Sequence, residues 1–473
     1  MGFRDVLLFN VVTVLGPRWI AFAAFIGPSS VSLWLLAALF FFIPSGLVIS
    51  ELSTRFPREG GLYIWSKEAF GEFHGFVAGW SYWIYTVFYF PALLVASLAM
   101  SAYIAGPNHA ALANNRNFLI GGSLGLLAIA VIFNIVGLNI GKWLQNAGGI
   151  ATYVPLLILI GVAIAVLKKH GSATDFSLVS LLPHVFVTSP GGHLGLDFDN
   201  LNYWSAIAFA FTGLELVSTM SDEIRDPQRT IPRAIFTSGL LIALMYIVGT
   251  IALLILLPST AVDPRTGVFQ AITEASTTVL GWSSLGIVAA LLVTVGNAGG
   301  IGSTVAGIAR VPFVVGINNY LPPAFGKIHP KWKTPYISIL VQAGVSAAVL
   351  LVFQINETMA GSYQILIDAA VVLYFLPFLY MYAAVIRLAY RGDRMSTPGA
   401  VLIPGGRAGV WITGSLGFLF TLFSMVVAII PPGSVRSRWG FEAKLVGATA
   451  MGIILGLVLY ARGARNKSHS VTS

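Results

Sequence analysis

The chain has 473 residues, 56% of them hydrophobic and only 10% charged, with a mean hydropathy of +0.83. A soluble chain carries about 25% charged residues, so this composition excludes an ordinary soluble globular protein. The net charge of +9 reads as a membrane-topology signal rather than a nucleic-acid footprint, and the absence of cysteine excludes disulfides, thiolate metal sites and cysteine nucleophiles.

An apolar stretch of roughly 20 residues spans a bilayer. The sequence predicts twelve such spans, near 6–27, 31–54, 73–105, 117–138, 143–167, 201–221, 231–257, 281–316, 335–354, 361–388, 408–430 and 441–461. The first follows Met1-Gly2-Phe3-Arg4 with no small-residue cleavage site behind it, so it reads as a retained helix. An even number of spans puts both termini on one side. With both termini cytoplasmic, 19 Lys and Arg residues fall inside and 7 outside, with Arg18 in the first span. Cytoplasmic loops show this bias. The expected location is therefore a plasma membrane (the inner membrane if the source is a bacterium).

Residues 55–72 mix aromatic and charged side chains with turn glycines and predict a short helix on the cytoplasmic surface. Residues 169–200 form a polar outer loop with Asp175, Asp197 and Asp199, and the polar tail 466–473 is expected to be disordered.

In lipid, a broken helix is tolerated only where it lines a cavity. Two spans carry break signals. The first holds Gly16-Pro17-Arg18, where proline removes a donor and glycine lets the chain turn. The sixth holds Phe211-Thr212-Gly213-Leu214-Glu215, a glycine beside a carboxylate at membrane depth. Spans one and six lie five apart. Paired interruptions at matching places in two halves point to an inverted repeat with a binding site at the midplane. The matching units are residues 1–168 and 201–388, with 389–465 as peripheral helices. Lone kinks have a blander use in helix packing; the pairing favours a transporter.

Ionisable residues at depth are costly and mark function. Arg18 has two readings, a fork onto a substrate carboxylate or an ion pair with Glu215. Glu215 is either a gating or proton-carrying carboxylate or a cap on the broken helix, and Asp368 is either a proton carrier or a group near the outer water layer. His74, His109, His170, His184, His193, His329 and His469 all fall in loops, the tail or span ends, against a histidine relay or an intramembrane zinc site. The chain has no HExxH and no nucleotide-binding domain, and its G-x-S-x-G match, Gly121 to Gly125, falls inside the fourth predicted span rather than at a strand-to-helix elbow. Neither an enzyme nor an ATP-driven pump is therefore indicated, and no cofactor is called for. A channel would need a pore ringed by charge, and buried charge is scarce here. Gly299-Gly300-Ile301-Gly302-Ser303 reads as close helix packing, with Asn297 and Ser303 as polar lining. Trp80, Trp83, Tyr85 and Tyr89 either line a pathway or pack.

The run Ala208-Phe209-Ala210-Phe211-Thr212-Gly213-Leu214-Glu215, with Asp222-Glu223-Ile224-Arg225-Asp226-Pro227-Gln228-Arg229-Thr230-Ile231-Pro232-Arg233-Ala234 behind it, resembles the sixth-helix segment of the amino acid–polyamine–organocation superfamily. Glu51 to Tyr63 is similar to that family's second-helix exit and cytoplasmic helix. Arg310, Asn319-Tyr320-Leu321-Pro322-Pro323 and Lys333-Thr334-Pro335 resemble its eighth-to-ninth connection. The likeness covers nearly the whole chain. It implies an all-α polytopic membrane protein with the leucine-transporter fold, built from two five-helix inverted repeats plus two peripheral helices. It implies a secondary active transporter of an amino acid or related amine, working by alternating access, with a proton, cation or counter-substrate as driver. The head group would meet Gly16, Pro17, Phe209, Phe211, Thr212 and Gly213, with Phe209 as the aromatic cover and Glu215 as the carboxylate beside the site.

Two departures stand out. Many members carry a Gly-Ser-Gly-like run where this chain has Gly16-Pro17-Arg18, so carboxylate recognition is expected to shift onto Arg18. The glutamate/γ-aminobutyrate antiporters also lack that run. Proton-coupled members often carry a lysine in helix five, where this chain reads Thr152-Tyr153-Val154-Pro155. The alternatives left by the sequence are a polyamine or organic-amine transporter of the same fold and a non-transporting sensor.

Overall fold

Proline and glycine placement decides where the spans break. The computed structural model describes residues 1–136, 138–183, 186–188, 194–282, 284–308, 311–312, 320–353, 359–391, 397–431 and 437–471. In it the first span is two helices, α1 (Phe3–Val14) and α2 (Pro17–Ile26), bent by 41°. The break sits at Leu15-Gly16, one step earlier than the sequence places it. Pro17 occupies the first helical position of α2, where its missing N–H would have had no intrahelical partner anyway.

The other long helices follow in order: α3 (Ser29–Arg55), α5 (Glu72–Ala105), α6 (Arg116–Val136), α7 (Leu138–His170), α9 (Pro227–Leu256), α11 (Ser284–Ile308), α12 (Tyr336–Phe353), α13 (Met359–Leu388), α14 (Gly406–Ala428) and α15 (Arg438–Val471). Shorter helices lie between them, among them α4 (Leu62–Phe70), α8 (Phe198–Ala210) and α10 (Gly267–Ala275). Two three-residue strands, Phe186–Thr188 and Leu194–Leu196, pair antiparallel between α7 and α8.

Among the described residues, 10 helices are long and apolar enough to cross a membrane, or 11 if α1 and α2 count as one bent span. The expected span at 201–221 is missing from that count because it breaks. After α8 the chain turns through Gly213 at φ +116° and continues as a tight 3₁₀ segment, Leu214–Glu223. Neither piece alone reaches the roughly 20 residues a membrane requires. The tail differs from expectation as well, since α15 runs on to Val471 instead of becoming disordered at Asn466.

Burial separates central from peripheral helices. The apolar windows of α5 and α13 are 78% and 72% buried, whereas those of α6 and α15 are 22% buried and leave Ile129, Ile132, Met451 and Ile454 facing outward. The predicted glycine packing is present. A Cβ at Gly148 of α7 would sit 3.0 Å from Cα of Gly299 on α11, and one at Gly300 would sit 2.9 Å from the Val12 carbonyl of α1. Only hydrogen fits at these three-helix contacts, so the α1 break is held tightly between α7 and α11.

On the face carrying α4, a second cluster ties elements together. Arg55 and Glu51, both buried, pair at 3.3 Å, and Arg55 also donates to the Leu388 carbonyl at the end of α13. The Glu51 carboxylate accepts from the Ile403 amide at 2.9 Å, Thr54 Oγ1 accepts from the Val401 amide at 3.0 Å, and Gln228 donates to the carbonyls of Thr54 and Pro398. The stretch 398–403 is thereby strapped across α3 and α9.

Candidate functional site

The two breaks face each other. A Cβ at Gly213 would lie 3.1 Å from Val14 and 3.2 Å from Thr13, so the turn after α8 rests directly on the end of α1. One side chain pins both. The fully buried Tyr246 hydroxyl of α9 reaches the Val14 carbonyl at 2.5 Å and the Ala210 carbonyl at 3.1 Å, the last residues of α1 and α8, and accepts from the Gly16 amide at 3.3 Å. Its single proton serves two helix-end carbonyls that lipid would leave unsatisfied. The ring is fixed by stacking on Trp34 (4.4 Å, 11°) and edge contact with Phe211 (5.5 Å). Nothing in the sequence singled out Tyr246.

Two small cavities adjoin the breaks, each with room for about a water molecule rather than a whole amino acid. The first is polar, lined by the backbone from Val12 to Gly16 with Arg18, Thr152, Asn297 and Thr304. The second is aromatic, lined by Trp19, Tyr85, Tyr89, Phe209 and Tyr374 together with Thr13, Thr212 and Gly213. They share Thr13, Val14, Tyr89 and Thr304.

Arg18 is 5% exposed. Its Nη2 donates to the Tyr89 hydroxyl at 2.5 Å, its guanidinium lies over the rings of Trp19 (4.8 Å) and Tyr89 (5.5 Å), and its Nε has no hydrogen-bond partner. The alternative ion pair with Glu215 is not formed, and among the described residues no carboxylate lies within salt-bridge reach of Arg18. A buried cation with only a phenol and two ring faces for company is short of a counter-ion.

Glu215 faces the other way. One carboxylate oxygen accepts from the hydroxyls of Tyr82 on α5 (2.7 Å) and Tyr374 on α13, and the other accepts from the Gly213 amide at 3.0 Å. It therefore caps the 3₁₀ segment while anchoring two tyrosines, and it meets the aromatic cavity through two of its lining residues, Tyr374 and Gly213. Phe209 covers that cavity, edge-on to Trp19, Tyr89 and Tyr374 at 5.8, 5.7 and 5.3 Å.

The remaining expected residues divide. Gly16 lines the polar cavity, and Thr212 and Gly213 line the aromatic one. Phe211 lines neither, because the helix has ended and its ring turns into the core against Phe42 (4.5 Å) and Trp34 (5.1 Å). Pro17 starts α2 and lies outside both linings. Asp368 is fully buried in α13, away from these cavities, where Gln364 donates to it at 3.1 and 3.2 Å. Gln364 also bonds Asn202 of α8, and Asn202 caps the end of α14 through the Ile430 carbonyl at 2.9 Å. Of the span-three aromatics, Tyr85 and Tyr89 line the site, while Trp80 bonds the Gly452 carbonyl of α15 and Trp83 packs on it. Asn297 is at the site; the Ser303 side chain, Arg310 and Asn319 lie outside the described residues.

Outside the spans, Arg265 before α10 donates to Asn114 at 2.8 Å and Asp263 at 3.2 Å, fixing the start of α10 to the 3₁₀ segment Pro107–Asn114 that precedes α6. Burial pushes the Asp263 carboxyl up, but the adjacent guanidinium together with the Arg265 and Thr266 amides outweighs this and holds it below the usual aspartate value.

The amino acid permease family model matches residues 6–455. An uncharacterized transporter of Legionella pneumophila is 28% identical, over 96% of this chain and 94% of its own length. A probable agmatine/putrescine antiporter of Lactococcus lactis is 24% identical, over 93% of this chain and 90% of its own. Among solved structures, MhsT in complex with L-phenylalanine superposes with a TM-score of 0.66 at 13% identity, covering 90% of this chain and 98% of that one. The fold is that of the leucine transporter, and the chain belongs to the amino acid permease family, whose members are membrane transporters and not enzymes.

Proposed function

We propose that this amino acid permease is an exchanger that carries a carboxylate-bearing amino acid through the space between its two broken spans. The carrying observation is Arg18, a buried guanidinium at the α1–α2 break with an unpartnered Nε and no carboxylate of the described chain in reach. The substrate carboxylate is assigned to Arg18 and the α2 N-terminus, supported by Gly16, and the rest of the molecule to the space among Trp19, Tyr89, Phe209 and Tyr374, over Thr212 and Gly213. Substrate entry requires the two cavities to widen into one, which alternating access supplies.

Closing the site without an anion leaves Arg18 buried and unpaired, so the loaded carrier crosses more readily than the empty one. That asymmetry favours exchange over one-way transport. Glu215, linked to the cavity through Tyr374, is assigned the gating role. Asp368, joining α13 to α8 through Gln364 and Asn202, is assigned proton coupling. The repeats are residues 1–168 and 201–388, and the basic face carrying α4 is cytoplasmic, with both termini there.

One observation favours a second reading. Five rings around one cavity, with a carboxylate behind them, suit an organic amine, and the Lactococcus relative is named for agmatine and putrescine. The two readings separate by thermal stabilisation of the purified protein with amino acids, amines and their decarboxylated pairs. An amino acid that stabilises the protein is expected to bind about 10- to 100-fold more weakly to Arg18→Ala. Stabilisation by the amine alone, unchanged in Arg18→Ala, would remove the carboxylate assignment.

A further inference from the structure

One crevice on the surface has no part in the site. It measures about 410 Å³ and opens on the side of the molecule between α4, α13 and α14, lined by Phe70, Ile386, Tyr390, Trp411, Phe418 and Leu419. Its walls are nearly all apolar. From Trp411 to Leu419 it follows α14 for about two turns, roughly 12 Å. Leu419 is 62% exposed at one end, and Tyr390 and Trp411, 54% and 48% exposed, sit at the other. The Trp411 indole donates to the Tyr390 hydroxyl at 2.7 Å. Paired aromatics of this kind mark the level where acyl chains meet headgroups.

Charge is confined to that aromatic end. The Arg387 guanidinium lies 5.1 Å over the Phe70 ring and that of Arg407 5.0 Å over the Tyr390 ring. Both are exposed, and neither has a carboxylate partner among the described residues. Arg391 stands beside them but is matched by Glu68 at 3.3 Å, which also meets Arg58 at 3.5 Å. The crevice therefore combines a slot for an acyl chain with two unneutralised, aromatic-backed guanidinium groups at its mouth.

We propose that this crevice is a binding site for one anionic phospholipid, its phosphate held by Arg387 and Arg407 and an acyl chain lying in the slot along α14. A zwitterionic lipid gains less, because its own ammonium competes for the phosphate. A soluble protein partner would have to displace membrane from a lipid-facing wall. The occupant bridges α4 and α14 to α13, the helix that also supplies Tyr374 and Asp368, so it braces that helix.

The test uses the full-length protein, purified and stripped of lipid, then titrated with phosphatidylglycerol or phosphatidylcholine and read by native mass spectrometry. The wild type is expected to retain phosphatidylglycerol about 30-fold more tightly, the worth of two near-surface cations. In the double variant Arg387→Gln/Arg407→Gln the two lipids are expected to bind alike. Ser415 also lines the slot, and Ser415→Phe, which fills it without touching the charges, is expected to weaken both lipids. Equal retention of the two lipids by the wild type would overturn the proposal, as would a double variant that keeps the preference. Displacement of phosphatidylglycerol by glycerol phosphate at similar concentration would show a free-phosphate site instead and overturn it too. Melting curves report whether each variant folds; if the double variant does not, the wild-type ratio and Ser415→Phe still decide.

Discussion

Replacing Tyr246 by phenylalanine removes one oxygen from the point where both broken spans meet. The ring stays, still stacked on Trp34 at 4.4 Å and edge-on to Phe211, so no cavity opens. What goes is a bond to the Val14 or Ala210 carbonyl and the bond accepted from the Gly16 amide. Interhelical bonds inside membrane proteins average about 0.6 kcal/mol and reach about 1.7, and a buried group left unsatisfied costs about 1–3 kcal/mol. A loss of about 1–3 kcal/mol follows for a single oxygen atom, visible as a drop of a few degrees in melting temperature. Felt at the closed conformation, the same loss slows exchange about 5- to 150-fold. Purified protein melted in detergent and assayed for exchange in liposomes gives both numbers. Unchanged melting and unchanged exchange in Tyr246→Phe would refute the idea that this hydroxyl pins the breaks; slow exchange with unchanged melting would place its role in the cycle alone.

Two further substitutions probe the same region. Gly213→Ala places a Cβ at φ +116° within 3.1 Å of Val14, so it is expected to cost about 1–3 kcal/mol in stability and to abolish most transport; near wild-type melting and uptake would show that the turn is relaxed. Glu215→Gln leaves one acceptor oxygen where two are used, so either the Gly213 amide loses its acceptor or the Tyr82 and Tyr374 hydroxyls must turn from donors into acceptors of the new NH2 group. Exchange is expected to fall at least tenfold while binding, read by thermal stabilisation, changes little; an equal loss of both would move Glu215 from gating to substrate contact.

How much of this could be read beforehand depends on whether a residue acts on its own backbone or on a distant partner. Gly16-Pro17 and Gly213 bend the chain by their own covalent chemistry, and both breaks lie within a residue or so of where the sequence puts them. Arg18 and Glu215 stand out because charge at membrane depth is costly whatever surrounds it. That they do not pair was beyond the sequence, since Glu215 turns back to its own helix end and the two tyrosines. Tyr82, Tyr246 and Tyr374 were missed for the opposite reason. Each is a tyrosine in an apolar run, with the composition of ordinary packing, and each becomes informative only when folding brings its hydroxyl to a group more than 30 residues away. Phe209 and Phe211 show a third limit. Both belong to the same motif, but the end of α8 between them sends one ring to the cavity and the other into the core.

The charge balance at Arg18 leads to the last prediction. Burying a cation without its counter-ion costs several kcal/mol in real proteins, and a well-placed carboxylate recovers much of that. A penalty of about 3 kcal/mol on the closed, unloaded carrier would slow its return about 150-fold relative to the loaded one. Efflux of labelled substrate from liposomes should then be slow into plain buffer and rise by one to two orders of magnitude when unlabelled substrate is added outside. Arg18→Gln removes the charge but keeps a side chain able to hydrogen-bond Tyr89. In that variant the penalty on the unloaded carrier vanishes, so efflux into buffer should rise toward the exchange rate even as affinity for the carboxylate falls. A merely structural Arg18 would lower both rates together. If wild-type efflux is the same with and without outside substrate, the unpaired guanidinium does not set the coupling, and the driver must be sought at Asp368 or Glu215 instead.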